Sequence, residues 1–263
     1  YELDPGTFLK ITKHNIKKKK YFNINNIREI NISEEDAIKK IKILFEESVK
    51  RHLISDVPVG VFLSGGIDSS AITAYASKHY KGQLKTYSVG FDYDKGVNEL
   101  SLASKVAEKF NTDHTEIKIT GDNLIEVIED LVLSHDEPFG DAADIPLFLL
   151  TKKLKGKVKV VLQGDGGDEF FGGYSRYKSY ENIHRWRKLS FLTSLIKWSK
   201  TRNTAALRLQ RFINAITQKE PYQRNALLLT MESKFTNPIR VFNELTKKDL
   251  NKLSPFKRYK EVY

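Results

Sequence analysis

Val59-Gly60-Val61-Phe62-Leu63-Ser64-Gly65-Gly66-Ile67-Asp68-Ser69-Ser70 decides the fold of this chain. An apolar run of strand length meets two adjacent glycines and then a polar stretch that can open a helix. The order is therefore strand, tight turn, helix. Two glycines let the backbone approach a ligand closely, and the amides at the following helix start point toward an anion with the helix dipole behind them. Ser64, Ser69 and Ser70 add hydroxyl donors. Asp68 would repel a phosphate unless a cation lay between them, and magnesium suits that position. A helix cap with a tight turn would account for Gly-Gly alone, but the whole string is more specific. Its ending lacks the Gly-Lys-Ser/Thr of the Walker loop, which argues against ordinary γ-phosphoryl transfer.

Outward from this stretch, apolar runs alternate with amphipathic segments. Strands are predicted over 59–63, 86–91, 115–119 and 158–162, with helices over 69–80, 99–110, 123–134 and 145–154. That alternation predicts an α/β fold, a doubly wound parallel sheet. Such sheets bind ligands at the carboxyl ends of their strands, so the loops after Leu63, Val89 and Leu162 should converge on one crevice. Upstream, Ser33 can cap a helix in which Ile38, Ile41, Leu44, Phe45 and Val49 recur at helical spacing, with Asp36 reaching back to the cap. Residues 1–32 mix short apolar fragments with turn formers and read as a connector. The run Lys17, Lys18, Lys19 and Lys20 reads as a solvated loop. Beyond residue 175 the chain is rich in Lys, Arg, Leu and aromatic residues, broken by Pro221, Pro238 and Pro255, and reads as helical.

Composition narrows the chemistry. Of 263 residues, 40% are hydrophobic and 29% charged, enough for a sizeable core. There is no cysteine, which excludes thiol nucleophiles, thiolate zinc sites and disulfides within these residues. No stretch approaches the ~18 apolar residues of a membrane span, and the start is neither a signal nor a transit peptide, so a cytoplasmic location is the default. The net charge of +11 permits an anionic substrate or nucleic acid without requiring either. The chain opens at Tyr1 and its single methionine is Met231, as expected of a piece of a longer protein.

A second string carries chemistry: Val158-Lys159-Val160-Val161-Leu162-Gln163-Gly164-Asp165-Gly166-Gly167-Asp168-Glu169-Phe170-Phe171-Gly172-Gly173-Tyr174. A buried strand here runs into a loop with three carboxylates and five glycines, at a spacing that does not match an EF-hand.

The first string resembles the SGGxDS loop of the ATP pyrophosphatase (PP-loop) family. The two strings together resemble the synthetase domain of glutamine-dependent asparagine synthetases, whose second loop is usually SGEGADE, a hydrophobic pair and GGY. Here Gln163 stands for the serine, Asp165 for the glutamate and Gly167 for the alanine or serine. Tyr87-Ser88-Val89-Gly90-Phe91, Asn98-Glu99, Thr112-Asp113-His114-Thr115-Glu116, His135-Asp136-Glu137-Pro138 and Ile145-Pro146-Leu147 add to the likeness, and Leu3-Asp4-Pro5-Gly6 is similar to the end of the family's inter-domain connector. The resemblance implies a connector remnant at 1–32, a PP-loop synthetase domain of the adenine nucleotide alpha-hydrolase type at 33–175, and a helical region of the same domain at 176–263.

It also implies roles. Ser64, Gly65, Gly66, Asp68, Ser69 and Ser70 would hold ATP phosphates and magnesium, Leu63 and Val89 would line the nucleoside, and Gln163 with Gly164 would touch it by main chain. Asp165 would act in acyl-adenylate formation. Asp68 and Asp168 would be catalytic and metal-binding, and Glu169 and Tyr174 would face the substrate. The implied reaction joins aspartate and ammonia, with ATP giving AMP and pyrophosphate by way of β-aspartyl-AMP. The ammonia would come from glutamine on an N-terminal glutaminase domain missing here. A homodimer is compatible with the resemblance. In the family an N-terminal cysteine on the glutaminase domain releases ammonia, so this chain, with no cysteine, should not use glutamine, and because the family's K-x-D-R-x-S segment does not occur before Tyr263 it should turn over slowly.

Other readings stay open. A tRNA-modifying PP-loop enzyme would suit the positive charge, although the second acidic loop argues against nucleic acid as partner. A β-lactam-type synthetase, an amidotransferase acting on another carboxylate, or a nucleotide-binding module without activity would share the first loop. His114 and His135, at element boundaries, read as structural before catalytic. Asp136, Glu137, Asp141 and Asp144 read equally as amino-group ligands or as an exposed acidic loop.

Overall fold

The structure is a computed structural model and describes residues 3–91, 99–119, 124–136, 141, 143–175, 177, 178, 183, 209 and 212–229. The chain forms two compact units. One is Ile32–Phe171; the other combines Tyr1–Asn31 with Gly172–Tyr263.

In the unit Ile32–Phe171, Ser33 caps α1 (Glu34–His52), its hydroxyl accepting the Asp36 amide at 3.2 Å and donating to the Asp36 carboxylate at 2.8 Å. Glu34, Glu35 and Asp36 begin the helix and Lys50, Arg51 and His52 end it, which suits the macrodipole at both ends. The expected apolar stripe is covered over only part of its length. Ile38, Ile41 and Leu44 remain 59%, 45% and 62% exposed, Phe45 is half-buried and Val49 is buried.

Four parallel strands follow: β3 (Val59–Phe62), β4 (Lys85–Phe91), β5 (Asp113–Ile119) and β6 (Val160–Leu162), in the spatial order β5-β4-β3-β6. Between them run α2 (Ile67–His79), α3 (Leu100–Lys109), α4 (Leu124–His135) and α5 (Asp144–Leu154), and α6 (Gly167–Phe171) follows β6. The chain winds outward from β3 to β5, then returns to pair β6 with the other side of β3. That reversal makes the sheet doubly wound, with its switch point between β3 and β6.

Alternate side chains on the strands pack against helices on both faces. Val61 packs with Val49, Ala76 and Leu84 on the α1 and α2 side, and Leu63 meets Ala103 and Ala107 of α3. Phe62, Tyr87, Val89 and Val161 pack with Leu150 and Leu154 of α5 on the other side. Burial on both faces is why central β3 reads as a continuous apolar run, whereas edge strand β5, with only Ile117 and Ile119 buried, reads as polar and apolar residues in turn. Each fully buried Val or Leu contributes roughly 1.5–3 kcal/mol. Behind the turn after β3, Glu46 of α1 joins α2 by accepting from Lys78 at 2.8 Å and meeting His79 Nε2 at 2.7 Å. The Lys78 bond first, and then the His79 bond, holds the Glu46 carboxyl down at about 2.

The other unit contains an antiparallel hairpin, β1 (Thr7–Thr12) and β2 (Asn15–Lys20). The lysine run is therefore a strand and not the expected loop. Ladder hydrogen bonds to β1 give its backbone partners, while alternation sends Lys17 and Lys19 to one face and Lys18 and Lys20 to the other. Further along, α7 (Pro221–Leu229) places Ala226, Leu227 and Leu228 against Ile183, Ala215 and Ile216. Pro238, Pro255 and most of the helical region expected over 176–263 lie outside the described residues, as do Asn98, Glu137 and Pro138. Among the described residues no helix is long and apolar enough to cross a membrane.

Candidate active site

The turn after β3 is closed by its own groups. Leu63 donates its amide to the Tyr87 carbonyl at 2.8 Å, extending the ladder one residue past the strand. The Ser64 amide donates to Ser69 Oγ at 3.2 Å, the two hydroxyls lie 3.0 Å apart, Gly66 donates its amide to Ser64 Oγ at 3.2 Å, and Ser69 Oγ donates to the Gly66 carbonyl at 3.2 Å. Gly65 sits at φ +81°, where an added Cβ would fall 2.7 Å from Leu102 Cβ and 2.8 Å from the Ala103 amide nitrogen. Only glycine meets both demands. Gly66 caps α2 without a side-chain hydrogen bond, so no capping side chain takes up the first-turn amides.

The turn after β6 is brought to the first by close contact. A Cβ on Gly164 would lie 2.9 Å from Asp68 Cβ, and one on Gly167 would lie 2.5 Å from Asp68 Oδ1. The two glycines therefore let the second loop rest on the Asp68 side chain. Gln163 donates from Nε2 to Asp165 Oδ2 across this loop.

Together the loops line a cleft of about 320 Å³ at the carboxyl ends of the strands. Leu63, Ser64, Gly66, Asp68, Ser69, Val89, Gln163, Gly164 and Asp165, all expected from sequence, share its wall. Gly65 stands behind it against α3, and Ser70 is not in the lining. Asp168 and Glu169 are exposed on α6 and do not line the cleft, and Tyr174 lies in the other unit, its ring 5.7 Å from that of Tyr177. Asp136, Asp141 and Asp144 are also outside the lining, and Glu137 lies outside the described residues.

Several lining residues were not among the expected site residues. Ala143, Pro146, Leu147 and Leu150 form an apolar wall from the α5 side, Phe62 and Tyr87 contribute from the sheet, and Glu99 enters at the start of α3. Their apolar spacing is what a core helix also shows, so only the placement of α5 over the strand ends reveals them. Burial, with Asp113 and Tyr80 nearby, raises the Tyr87 phenol and keeps it a neutral donor. Among the described residues, the charged side chains lining the cleft are Asp68, Glu99 and Asp165, all of them acidic. A polyanion bound beside these three carboxylates would be favoured by a cation between them. Among the described residues no group of three or more carboxylate or imidazole ligands is assembled. Asp68 is thus suited to magnesium shared with phosphate oxygens, since that ion is usually held by one or two carboxylates plus phosphates.

His114 is at the other end of the sheet. Its Nδ1 lies 2.9 Å from Thr86 Oγ1, its buried Nε2 meets no partner among the described residues, and burial lowers its pKa. That placement is structural.

Comparison with known proteins matches residues 40–259 to the asparagine synthase family. Glutamine-hydrolysing asparagine synthetase 1 of Bacillus subtilis is 36% identical over 178 residues, covering 67% of this chain and 28% of the relative. A putative glutamine-hydrolysing asparagine synthetase of Mycobacterium bovis is 38% identical over 148 residues, covering 56% and 22%. The Brassica oleracea glutamine-hydrolysing asparagine synthetase is 32% identical over 216 residues, covering 75% and 36%. The chain thus spans about a quarter to a third of the length of these relatives. A solved NH3-dependent NAD synthetase from Campylobacter jejuni aligns over 76% of this chain and 98% of its own at a TM-score of 0.34 and 14% identity. The family match extends from α1 through both glycine loops and covers well over half of the sequence, and the chain belongs to the asparagine synthase family.

Proposed function

We propose that this chain is the ATP-using part of an amide-forming ligase that makes asparagine from aspartate and ammonia. The carrying observation is the seating of Gly164 and Gly167 on Asp68, which couples the two glycine loops in one cleft. Ser64, Gly66, the start of α2 and Asp68 hold the ATP phosphates, and Val89, Leu147 and Leu150 receive the nucleoside. Asp68 would hold magnesium, with Asp168 as a further candidate, and the ion would supply positive charge to offset the carboxylates of the described lining.

The aspartate side-chain carboxylate attacks the α-phosphorus. One P–O bond forms, the bond to the β-phosphate breaks, and pyrophosphate leaves. Ammonia then attacks the acyl carbon, AMP departs and a proton is lost from nitrogen. Asp165, held by Gln163, acts while the adenylate forms. Holding both reactants in one cleft replaces an improbable encounter, and no covalent enzyme nucleophile is required, in keeping with the absence of cysteine. The names of the relatives support a glutaminase domain as the source of ammonia.

Asp165→Asn tests the assignment. ATP affinity should stay within about threefold, while aspartate-dependent exchange between pyrophosphate and ATP should fall by about a hundredfold, because the carboxylate acts as the reaction develops. Equal exchange in the two proteins would move the role elsewhere.

A further inference from the structure

The ribbon of β1 and β2 has two unlike faces. Its register sets Phe8 opposite Lys19, Lys10 opposite Lys17 and Thr12 opposite Asn15, so these side chains share one face. Tyr21 continues that face. Its amide donates to the Gly6 carbonyl at 2.8 Å, just beyond the last ladder pair, and its ring lies 6.3 Å from that of Phe8 at an angle of 35°. The opposite face carries Leu9, Ile11 and Ile16 with Thr7, Lys18 and Lys20. One face is thus basic and aromatic, and the other holds every aliphatic side chain of the two strands.

The basic face carries charge that its own surroundings do not offset. Lys18, on the aliphatic face, pairs with Asp4, whereas among the described residues Lys10, Lys17 and Lys19 take part in no ion pair. Lys10 and Lys17 stand directly opposite one another, an arrangement that weakens a ladder when the charges are alike. Lys17 and Lys19, two residues apart on an extended strand, project about 6.8 Å apart. No acidic residue lies between Thr7 and Phe22 to relieve them. Phe8 and Tyr21, at the end of this lysine row, remain 44% and 70% exposed although burying such rings is favourable. The face therefore offers a row of uncompensated cations beside two open aromatic rings.

We propose that this face binds single-stranded nucleic acid, the lysines meeting successive phosphates while Phe8 and Tyr21 stack on bases. A polyanion removes the repulsion between Lys10 and Lys17, and every base has a π-face that an exposed ring can cover. A membrane surface fits less well, because Leu9, Ile11 and Ile16, the side chains suited to its apolar layer, lie on the other face. The proposal is independent of the nucleotide reading, since the ribbon and the cleft belong to different units and the carboxylates that disfavour nucleic acid in the cleft are not on this face.

The 263-residue chain is titrated into a labelled oligouridylate of about 12 nucleotides and followed by fluorescence anisotropy. With three lysines engaged, affinity should fall about twentyfold between about 50 and 200 mM salt. Lys17→Glu should weaken binding by about fivefold or more and flatten that dependence. The same substitution should hold or raise the melting temperature, because it turns an opposed like-charged pair into an attractive one. Phe8→Ala and Tyr21→Ala should each weaken binding by about fivefold or more and leave the salt dependence as it was. Binding unchanged by Lys17→Glu, or no binding by the unaltered chain at low salt, overturns the proposal. So does heparin bound as tightly as the oligonucleotide with both ring substitutions silent, which would leave a general polyanion patch. Binding confined to phosphatidylserine vesicles would assign the face to a membrane and overturn it as well.

Discussion

Between β3 and α2 the turn is closed by its own serine hydroxyls and seated against the backbone of α3, whereas between β6 and α6 the turn touches its neighbour through glycine Cα atoms and one carboxylate. The first is fixed by hydrogen bonds that span no more than five residues and by the backbone of α3 behind Gly65. The second is set by where Asp68 points, and its five-residue helix buries none of its residues. The first turn is thus set by local contacts, while the position of the second depends on one side chain distant in sequence.

The largest effect that would break this contrast concerns Gly65. Gly65→Ala combines a positive φ with a Cβ lodged on backbone atoms, and neither can relax without moving α3. We expect about 3 kcal/mol or more of lost stability in denaturant unfolding, together with lost ATP binding. A variant as stable as the parent would show that the first turn is no more constrained than the second.

Gly167→Ala should be far milder. The new Cβ meets only the end of the Asp68 side chain, which can rotate away, and alanine gains in helix propensity. Stability should change by less than about 1 kcal/mol, while magnesium-dependent ATP affinity shifts by about threefold to tenfold because Asp68 is redirected. Calorimetry with and without magnesium measures it. A cost equal to that of Gly65→Ala would erase the distinction between the loops.

The smallest effect lies at the other end of the sheet. Burial lowers the His114 pKa below its ordinary 6.5, so the unfolded chain binds the proton more readily. The sign follows: no penalty applies above pH 6.5, and stability falls as the pH drops from there toward the folded-state value. The melting temperature at pH 5.5 should be lower than at pH 7.5, with about 2 °C of the difference removed in His114→Gln. A pH dependence unchanged by that substitution would assign the loss to other groups. Because His114 is remote from the cleft, ATP affinity should not follow this titration.

Most of the sheet and of the first loop was legible in the sequence for a physical reason. A central strand such as β3, buried on both faces, must be apolar throughout, and a turn that needs positive φ beside a helix start must carry glycine, so both constraints are written locally. The contact of Gly167 with Asp68 was not legible, because a distance across about a hundred residues leaves no periodic trace. Nor was the apolar wall of Pro146, Leu147 and Leu150, whose residues serve core and cleft alike. The lysine run misled for the opposite reason. A ribbon exposed on both faces needs no alternation of apolar and polar residues, so its strand period was hidden.

That ribbon has a consequence for the protein's behaviour in solution. Among the described residues this two-stranded sheet has an open edge on each strand, and an open edge is a template on which another chain can add. Leu9, Ile11 and Ile16 are 42%, 69% and 67% exposed on it and would favour such growth. Lys10, Lys13, Lys17, Lys19 and Lys20, beside Lys18 that pairs with Asp4, set like charges against each other in self-pairing. Among the described residues, fibre formation is thus opposed by repulsion, and raising the ionic strength weakens that protection as the Debye length shrinks.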